Sequence, residues 1–229
     1  MEQIIPMDPT IKSWMDSSHC PLTHAIVSTF PMRFALEQGA GLYSTPLLRQ
    51  FVTKVVSAEN DPDWTARIAT LFPDHEIRKP VAQCAQHKPP SCLSPEELRI
   101  IQEYYVKLDM EYAELSPRLL FVDGFECERI PMFNAIHTKY EMVILHDSEP
   151  QHTAAYGFDL IKTAYTKYVY GTGPVCGWTM PNTTLFTREP MSTDQFDLLQ
   201  ANIRAAIGPY CLRHGLDQSR FLHIIGKLG

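Results

Sequence analysis

The 229-residue chain lacks the features that mark exported and membrane-spanning proteins. Its N-terminal sequence, MEQIIPMDPTIKSW, has no basic segment followed by an apolar one, so no signal peptide is predicted. No apolar run approaches the roughly 18 residues that a membrane-spanning helix needs. The six cysteines are too few and too irregularly spaced for a disulfide framework. These absences predict a cytoplasmic protein with reduced thiols and no membrane partner.

The chain also lacks an excess of positive charge. It has 20 lysines and arginines and 26 aspartates and glutamates, which gives a net charge of -6. An acidic protein has no general attraction to phosphate backbones or anionic lipids. We therefore expect a small-molecule substrate and no nucleic acid partner. The sequence is compatible with a protein partner.

Proline is abundant, with 18 residues, and many prolines follow a residue that caps helices. Proline fits the first helical position because the N–H that it lacks would have no partner there. Ser94-Pro95 adds a capping box that Glu97 closes. Apolar residues at helical spacing then predict helices that start near Pro46, Pro62, Pro95, Pro150 and Thr193, the last one broken at Gly208-Pro209.

The middle of the chain has β character. The sequence LLFV at 119–122, then Asp-Gly, then FECE at 125–128 predicts a hairpin with a tight turn. The apolar run YEMVIL, 140–145, predicts a strand, and short strands are expected at 174–179 and 183–186. The expected fold is therefore mainly α (α+β), a multi-helix domain with a small antiparallel β element in the middle.

A stretch with four prolines and no periodicity, 73–93, predicts a linker. It would separate an N-terminal helical segment, 1–72, from a helical segment with the β element, 94–229. A single domain over the whole chain is the alternative.

The densest group of chemically active side chains lies in HDSEPQH, residues 146–152. His146, Asp147 and His152, with His137 upstream, are ligand types that suit iron, zinc or manganese. Glu149 and His152 have the spacing that places two side chains on one helix face. The His146-Asp147 dyad resembles that of the metal-dependent HD-type phosphohydrolases, which are helical proteins with an earlier His and a later Asp. His137 and Asp197 would fill those two positions.

An alternative interpretation of the same segment needs no metal. Proline disfavours helical geometry in the residue before it, so Glu149 would cap a helix instead of lying on its face. Carboxylates are also common at helix N-termini, where the partial positive charge stabilises them.

Three further groups are candidates for chemistry. Cys84, His87 and Cys92, with His75 upstream, could hold a structural zinc in the linker. Cys20 at a helix start resembles the nucleophile of papain-like hydrolases, with His137 and Asp147 later in the chain. The sequence GTGPVCG at 171–177 comes after a predicted helix, so we interpret it as a helix end and a turn.

The favoured function is a metal-dependent enzyme, a hydrolase or an iron-dependent oxidoreductase, that acts on a small molecule. In it His137, His146, Asp147 and His152 bind the metal, and Glu149 and Asp147 serve catalysis. One alternative is a cysteine hydrolase or transferase that uses Cys20 and His137. The other is a non-catalytic helical interaction module of a viral or effector type.

Overall fold

The computed structural model describes residues 18–80, 88–171, 174–175, 178–179, 182–215 and 217–219, which form an α/β fold. The strands are β1 (Phe34–Gln38), β2 (Lys54–Ala58), β3 (Glu76–Arg78), β4 (Arg118–Val122), β5 (Met142–Leu145), β6 (Thr166–Tyr170), β7 (Pro174–Val175), β8 (Trp178–Thr179) and β9 (Thr183–Thr187). The helices are α1 (Cys20–Thr29), α2 (Ser44–Phe51), α3 (Pro62–Leu71), α4 (Pro95–Met110), α5 (Glu126–Ile136), α6 (Thr153–Tyr156) and α7 (Thr193–His214).

Seven strands form one mixed sheet in the order β3-β2-β1-β4-β5-β9-β6. The first five of these strands are parallel, whereas β9 is antiparallel to both of its neighbours. The chain moves outward from β1 through β2 to β3 and then returns to the other side of β1 as β4. In open α/β sheets ligands bind outside the carboxyl ends of the strands at such a reversal. We call the carboxyl ends of β1, β2, β4 and β5, with the loops after them, the carboxyl edge.

The central strands are buried on both faces. Successive side chains of a strand point to opposite faces, and the core divides accordingly. Ala35 and Leu119 pack in one layer with apolar residues of α1, α2 and α7. Leu36 and Leu120 pack in the other layer with apolar residues of α4 and α5. Each such fully buried side chain contributes about 1.5–3 kcal/mol, so the two helix layers hold the sheet between them.

The prediction of a mainly α fold with a small antiparallel β element is wrong, because a seven-stranded mixed sheet forms the centre of the molecule. A strand covered on both faces has a continuous apolar run and no alternation, and a short run of this kind resembles part of a buried helix. The segments 52–56 and 158–168 therefore have the apolar spacing of helices. Instead, Val55 and Val56 lie in β2, and Tyr168 lies in β6.

The hairpin predicted at 119–128 is also wrong. Leu119 to Val122 lie in the central parallel strand β4, and the residues from Glu126 onward form α5. Asp123 and Gly124 thus connect a strand to a helix at the carboxyl edge. The turn chemistry of Asp-Gly is the same in both settings, so it does not specify whether a strand or a helix comes next.

Several predicted elements are confirmed. Strands occur at Met142–Leu145, within 174–179 and at Thr183–Thr187. The helix after Pro62 is capped by Asp61, and the Ser94–Glu97 capping box is present. The helix near Thr193 is capped by Ser192 and continues through Gly208-Pro209 to His214, so the predicted break there is wrong.

Within the stretch 73–93, Glu76–Arg78 forms the edge strand β3. Strands from both sides of this stretch lie in the same sheet, while the division into segments 1–72 and 94–229 stays a prediction. Among the residues that the structure describes, no helix is both long and apolar enough to cross a membrane.

Candidate functional site

The loop after β1, with the sequence GAG at 39–41, lies against the loop after β4. Gly39 has φ +90°, a conformation that side chains rarely adopt. A Cβ atom on Gly39 would lie 2.5 Å from the Cα atom of Gly124. The N–H of Asp123 also donates to the Gln38 carbonyl, at 2.8 Å. Two glycines therefore allow the two loops to meet at the point where the strand order reverses.

Glu59 comes directly after β2 and faces the same loop. One oxygen of its carboxylate accepts a hydrogen bond from the Ala40 N–H at 2.8 Å, and the other accepts from the Asp61 N–H at 2.7 Å. The side chain is largely buried, and burial raises the pKa of the Glu59 carboxyl. A carboxylate is thus fixed about 20 residues after the first glycine of the loop, next to its backbone.

Beneath the loop lies a second carboxylate, that of Glu37 in β1, which is fully buried. Its Oε2 accepts hydrogen bonds from the hydroxyls of Thr45 and Ser57. The Ser57 hydroxyl also contacts His75 Nε2 at 2.7 Å. Because the Ser57 proton is donated to Glu37, the neutral His75 ring donates from Nε2 to Ser57. Burial raises the pKa of Glu37 to about 7.

This raised pKa predicts a specific pH dependence of stability. The folded state favours the protonated Glu37, so the stabilisation is complete below the unfolded pKa of about 4.5 and is lost as pH rises to about 7. Glu37→Gln cannot ionise, so it should not show this loss. The free energy of unfolding of the variant, relative to that of the wild type, should therefore be about 2–3 kcal/mol higher at pH 8 than at pH 4.5. Urea unfolding of both proteins between pH 4.5 and 8 measures it.

His75 complicates the wild-type profile, because its pKa is lowered to about 4, chiefly by burial. It therefore costs stability as pH falls from about 6.5 toward 4, which opposes the Glu37 effect. The His75 contribution is present in both proteins and cancels in the difference between their free energies of unfolding. A difference that stays constant over the whole range would contradict the assignment.

Arg129 of α5 holds the loops after β4 and β5 together. Its Nε donates to the Gly124 carbonyl at 2.7 Å, and its Nη1 donates to the His146 carbonyl at 3.2 Å. Its Nη2 donates to both the carbonyl and the carboxylate of Asp123. The guanidinium also lies 4.4 Å from the centre of the Tyr156 ring. A planar group with several fixed donors can make these bonds at the same time.

Arg129→Lys should therefore destabilise the fold, although it keeps the charge. A single ammonium group cannot reach carbonyls on two loops, and hydrogen bonds to charged groups each contribute about 1.5–3 kcal/mol. We expect a loss of about 3 kcal/mol in the free energy of unfolding. The matched control is Arg99→Lys, because Arg99 is exposed on α4 and pairs with Glu96 and Glu103. An equal effect of the two substitutions in urea denaturation would contradict this role.

His146 and Asp147 come directly after β5 and lie at the carboxyl edge. His146 is buried, with Nδ1 3.1 Å from the Thr183 hydroxyl and Nε2 3.4 Å from Asp147 Oδ1. Asp147 has φ +52°, and its Oδ2 lies 3.7 Å from Arg129. Burial alone would raise the pKa of Asp147, but His146 and Arg129 outweigh it and hold that pKa below its usual value.

Glu149 and His152 complete the segment. Glu149 has extended backbone geometry and precedes a single 3₁₀ turn, Pro150–His152. It therefore caps a turn, and the two side chains do not lie on an α-helix. Glu149 Oε2 nevertheless lies 3.4 Å from His152 Nδ1. Burial raises the pKa of the Glu149 carboxyl, and the neighbouring Asp147 adds to this increase.

His19, immediately before α1, covers this part of the edge. Its ring lies 4.6 Å from the His146 ring and 5.1 Å from the Phe121 ring. Burial, and secondarily His146, lowers the pKa of His19 well below its usual value, so the imidazole is neutral. Potential ligand atoms of His19, Asp123 and His146 lie within 4.8 Å of one another.

The structure thus brings together four predicted site residues, His146, Asp147, Glu149 and His152. Cys20 lies nearby, with its Sγ 3.8 Å from His19 Nε2, whereas His137 and Asp197 lie elsewhere. His137 lies after α5, where its Nδ1 is 2.8 Å from the Phe133 carbonyl and its ring stacks on Phe133. Asp197 is exposed on α7.

Cys20 does not have the character of an activated nucleophile. Burial raises the pKa of its thiol to about 12, whereas the sequence predicted a stabilised thiolate. Cys92 is exposed and His75 is bound to Ser57. Residues 84 and 87 of the predicted zinc cluster, and most of GTGPVCG, lie outside the described residues.

Sequence reasoning missed Gly39, Glu59, Asp123 and Arg129. The first two were detectable, because EQGAG at 37–41 contains Gly-x-Gly and an acidic residue occurs about 20 positions later. Arg129 has no local pattern that distinguishes it from a surface arginine.

No family model and no curated protein sequence matches this chain. Similar solved structures include the N-methyltransferase NodS from Bradyrhizobium japonicum in complex with S-adenosyl-L-homocysteine, with 11% identity, a TM-score of 0.47, and coverage of 77% of this chain and 88% of that one. A methyltransferase-like protein from Silicibacter pomeroyi has 16% identity, a TM-score of 0.43, and coverage of 87% and 96%. An rRNA methylase from Streptococcus thermophilus has 12% identity, a TM-score of 0.44, and coverage of 74% and 95%.

The prediction of a metal-dependent hydrolase or oxidoreductase, with iron, zinc or manganese as cofactor, is wrong. The segment HDSEPQH comes after a strand of an α/β sheet and does not lie in a helical metal centre. The cysteine hydrolase and the helical interaction module are set aside with it, since the Cys20 pKa is raised and the fold is not helical.

Proposed function

We propose that this chain is a methyltransferase that uses S-adenosylmethionine. One observation carries the proposal: the glycine loop after β1 and the carboxylate of Glu59 after β2 meet where the strand order reverses. In dinucleotide-binding α/β folds, the same pair of features binds a nucleoside, with the acidic residue on the ribose hydroxyls. Glu59 has this position, because its Oε2 contacts the loop backbone at Ala40.

The charge of the carboxyl edge favours a cationic nucleoside over a dinucleotide. Glu59 lies just after β2, and Asp123 and Asp147 lie just after β4 and β5. Carboxylates would repel a pyrophosphate group. They would attract the sulfonium and ammonium groups of S-adenosylmethionine.

The loop itself fits a bound nucleoside better than a phosphate group. Thr45 Oγ1 accepts from the Gly41 N–H at 3.0 Å and donates to Glu37 at 2.7 Å. A backbone N–H that would otherwise be available to a phosphate is therefore already bound. A Cβ atom on Gly39 or Gly41 would collide with Gly124 or Ser44, so both glycines allow the tight loop to form. Each carboxylate oxygen of Glu59 has a further lone pair for a ribose hydroxyl.

In this proposal Glu59 holds the ribose, the glycine loop supports the nucleoside, and Asp123 contributes negative potential near the positive groups. When bound, S-adenosylmethionine supplies an electrophilic methyl group. Arg129 fixes the loops after β4 and β5, where the methyl acceptor would enter. The acceptor is proposed to be a small molecule rather than a nucleic acid, because the chain has a net charge of -6. A cytoplasmic location is part of the same proposal.

Isothermal titration calorimetry tests the proposal with three probes: S-adenosylmethionine, S-adenosylhomocysteine and NAD⁺. We expect micromolar binding of the first two and at least tenfold weaker binding of NAD⁺, since its pyrophosphate would face the carboxylates. Stronger binding of NAD⁺ would contradict the charge argument. The absence of binding by all three would contradict the proposed function.

A further inference from the structure

We propose that the methyl acceptor is an amine, which is held as its ammonium ion between Asp147 and Glu149 at the end of β5 and is deprotonated there before transfer. Glu149 takes the proton, the nitrogen lone pair forms the new N–CH₃ bond, the S–CH₃ bond of S-adenosylmethionine breaks with its electron pair going to sulfur, and S-adenosylhomocysteine leaves. This inference rests on the proposed function and names the substrate class of the same site. The three carboxylates Asp123, Asp147 and Glu149 are called the acidic cluster below.

The buried carboxylate of Glu149 supplies the first argument. The residue is 2% exposed, and its Oε2 has no hydrogen-bond donor among the described residues. His152 Nδ1, at 3.4 Å from that oxygen, also makes no hydrogen bond in the described part of the chain. A buried anionic oxygen without a donor is costly. It indicates that a ligand with N–H or O–H groups supplies the missing bond.

The geometry of Asp147 supplies the second argument. Its φ of +52° places a non-glycine residue in the left-handed region at the end of a parallel strand. Ser148 anchors this bend, because its N–H donates to the Asn182 carbonyl at 2.8 Å and its hydroxyl lies 2.7 Å from that of Thr184. A bend of this kind concentrates at ligand sites, and here it fixes two carboxylates on either side of Ser148.

The charge balance favours an ammonium group over a neutral hydroxyl. Arg129 contacts Asp123 and Asp147, and its guanidinium is largely used by carbonyls of the two loops. His146 and His152 lie 3.4 Å from Asp147 and Glu149 and carry a positive charge only when protonated. His19 is neutral and adds no positive charge. Three carboxylates beside one arginine leave an excess of negative charge, which an ammonium ion would neutralise. An alcohol would satisfy one acceptor and leave the charge uncompensated.

Matched amine and alcohol probes test this inference. Benzylamine and benzyl alcohol, and cyclohexylamine and cyclohexanol, are titrated by NMR into the full chain saturated with S-adenosylhomocysteine. We expect each amine to bind about tenfold or more tightly than its alcohol, since a hydrogen bond to a charged group is involved. Asp147→Asn and Glu149→Gln should each remove this preference. Asn tolerates the left-handed region, so Asp147→Asn keeps the backbone.

The control variant is Glu103→Gln, which removes a carboxylate from the exposed face of α4 and should leave the preference unchanged. Equal binding of amines and alcohols would overturn the inference, as would amine binding that survives both cluster variants. If S-adenosylhomocysteine binds and no amine does, the inference fails and the proposed function stands. If the amines bind and S-adenosylhomocysteine does not, the proposed function fails, and with it the role of the amine as a methyl acceptor.

Discussion

Glu59→Ala should lower the affinity for S-adenosylhomocysteine at least about 100-fold. Two ribose hydroxyls donating to a carboxylate contribute about 1.5–3 kcal/mol each, and the substitution removes both bonds. It also releases the N–H groups of Ala40 and Asp61, which Glu59 now fixes at 2.8 and 2.7 Å. Both effects act on the nucleoside end of the site, so the binding enthalpy should become less favourable.

Calorimetry with wild type, Glu59→Ala and Glu59→Gln measures this loss. Glu59→Gln keeps the side-chain shape and one acceptor oxygen, so its affinity should lie between those of the other two. The control Glu96→Gln removes an exposed carboxylate that pairs with Arg99 on α4. Thermal melting of each variant shows whether it is folded. A folded Glu59→Ala protein with wild-type affinity would contradict the assigned position of the ribose.

Gly39→Ala should destabilise the fold by about 3 kcal/mol and abolish binding of S-adenosylhomocysteine. The φ of +90° costs a non-glycine residue about 1–2 kcal/mol. In addition, the new Cβ would lie 2.5 Å from the Gly124 Cα and 2.8 Å from the Asp123 carbonyl carbon. These are backbone atoms of the next loop and cannot rotate away, so the two loops must separate at a cost of about 1–3 kcal/mol.

Gly215→Ala is the matched control, because Gly215 also has a positive φ, +64°, but no atom of the described residues lies within 4 Å of its added Cβ. It should lose only the backbone contribution, about 1–2 kcal/mol, and should bind S-adenosylhomocysteine normally. Urea denaturation gives both free energies of unfolding. An equal loss in the two variants would show that the close approach to Gly124 contributes nothing.

The sequence predicted individual elements better than their arrangement. Capping boxes and proline positions act locally, and the helices that begin after Asp61 and Ser94 were predicted correctly. The run at Met142–Leu145 was identified as a strand, because it is too short for a helix. Whether neighbouring strands are parallel depends on what covers their faces, and no single segment contains that information.

The central strand β1 shows why the sheet was missed. Its residues, FALEQ, include a glutamate and a glutamine, so no apolar run marks it. Both polar side chains are buried and bonded: Glu37 to Ser57 and Thr45, and Gln38 to the Gly124 N–H at 2.8 Å. Polar residues such as these are expected at the surface when only the local sequence is considered. Their burial could not be predicted, because their hydrogen-bond partners come from elements far away in the chain.

The sequence predicted only part of the site, because the residues that complete it come from distant segments of the chain. HDSEPQH lies at the carboxyl edge. Glu149, which was expected to cap a helix, has the extended backbone of a cap residue but precedes a single 3₁₀ turn and makes no side-chain cap hydrogen bond. The metal interpretation of HDSEPQH was wrong because the spacing of Glu149 and His152 was assigned to a helix face that does not form. Asp123, His19 and Arg129 reach this group from three other segments, which the sequence alone could not bring together.

A crystal structure of the protein with S-adenosylhomocysteine tests the central claim most directly. The account predicts the nucleoside at the carboxyl edge, over the loop Gly39–Gly41, with the ribose hydroxyls donating to Glu59 and the sulfur near Asp123. A nucleoside bound elsewhere on the chain, or a carboxyl edge without ligand at saturating concentration, would contradict it.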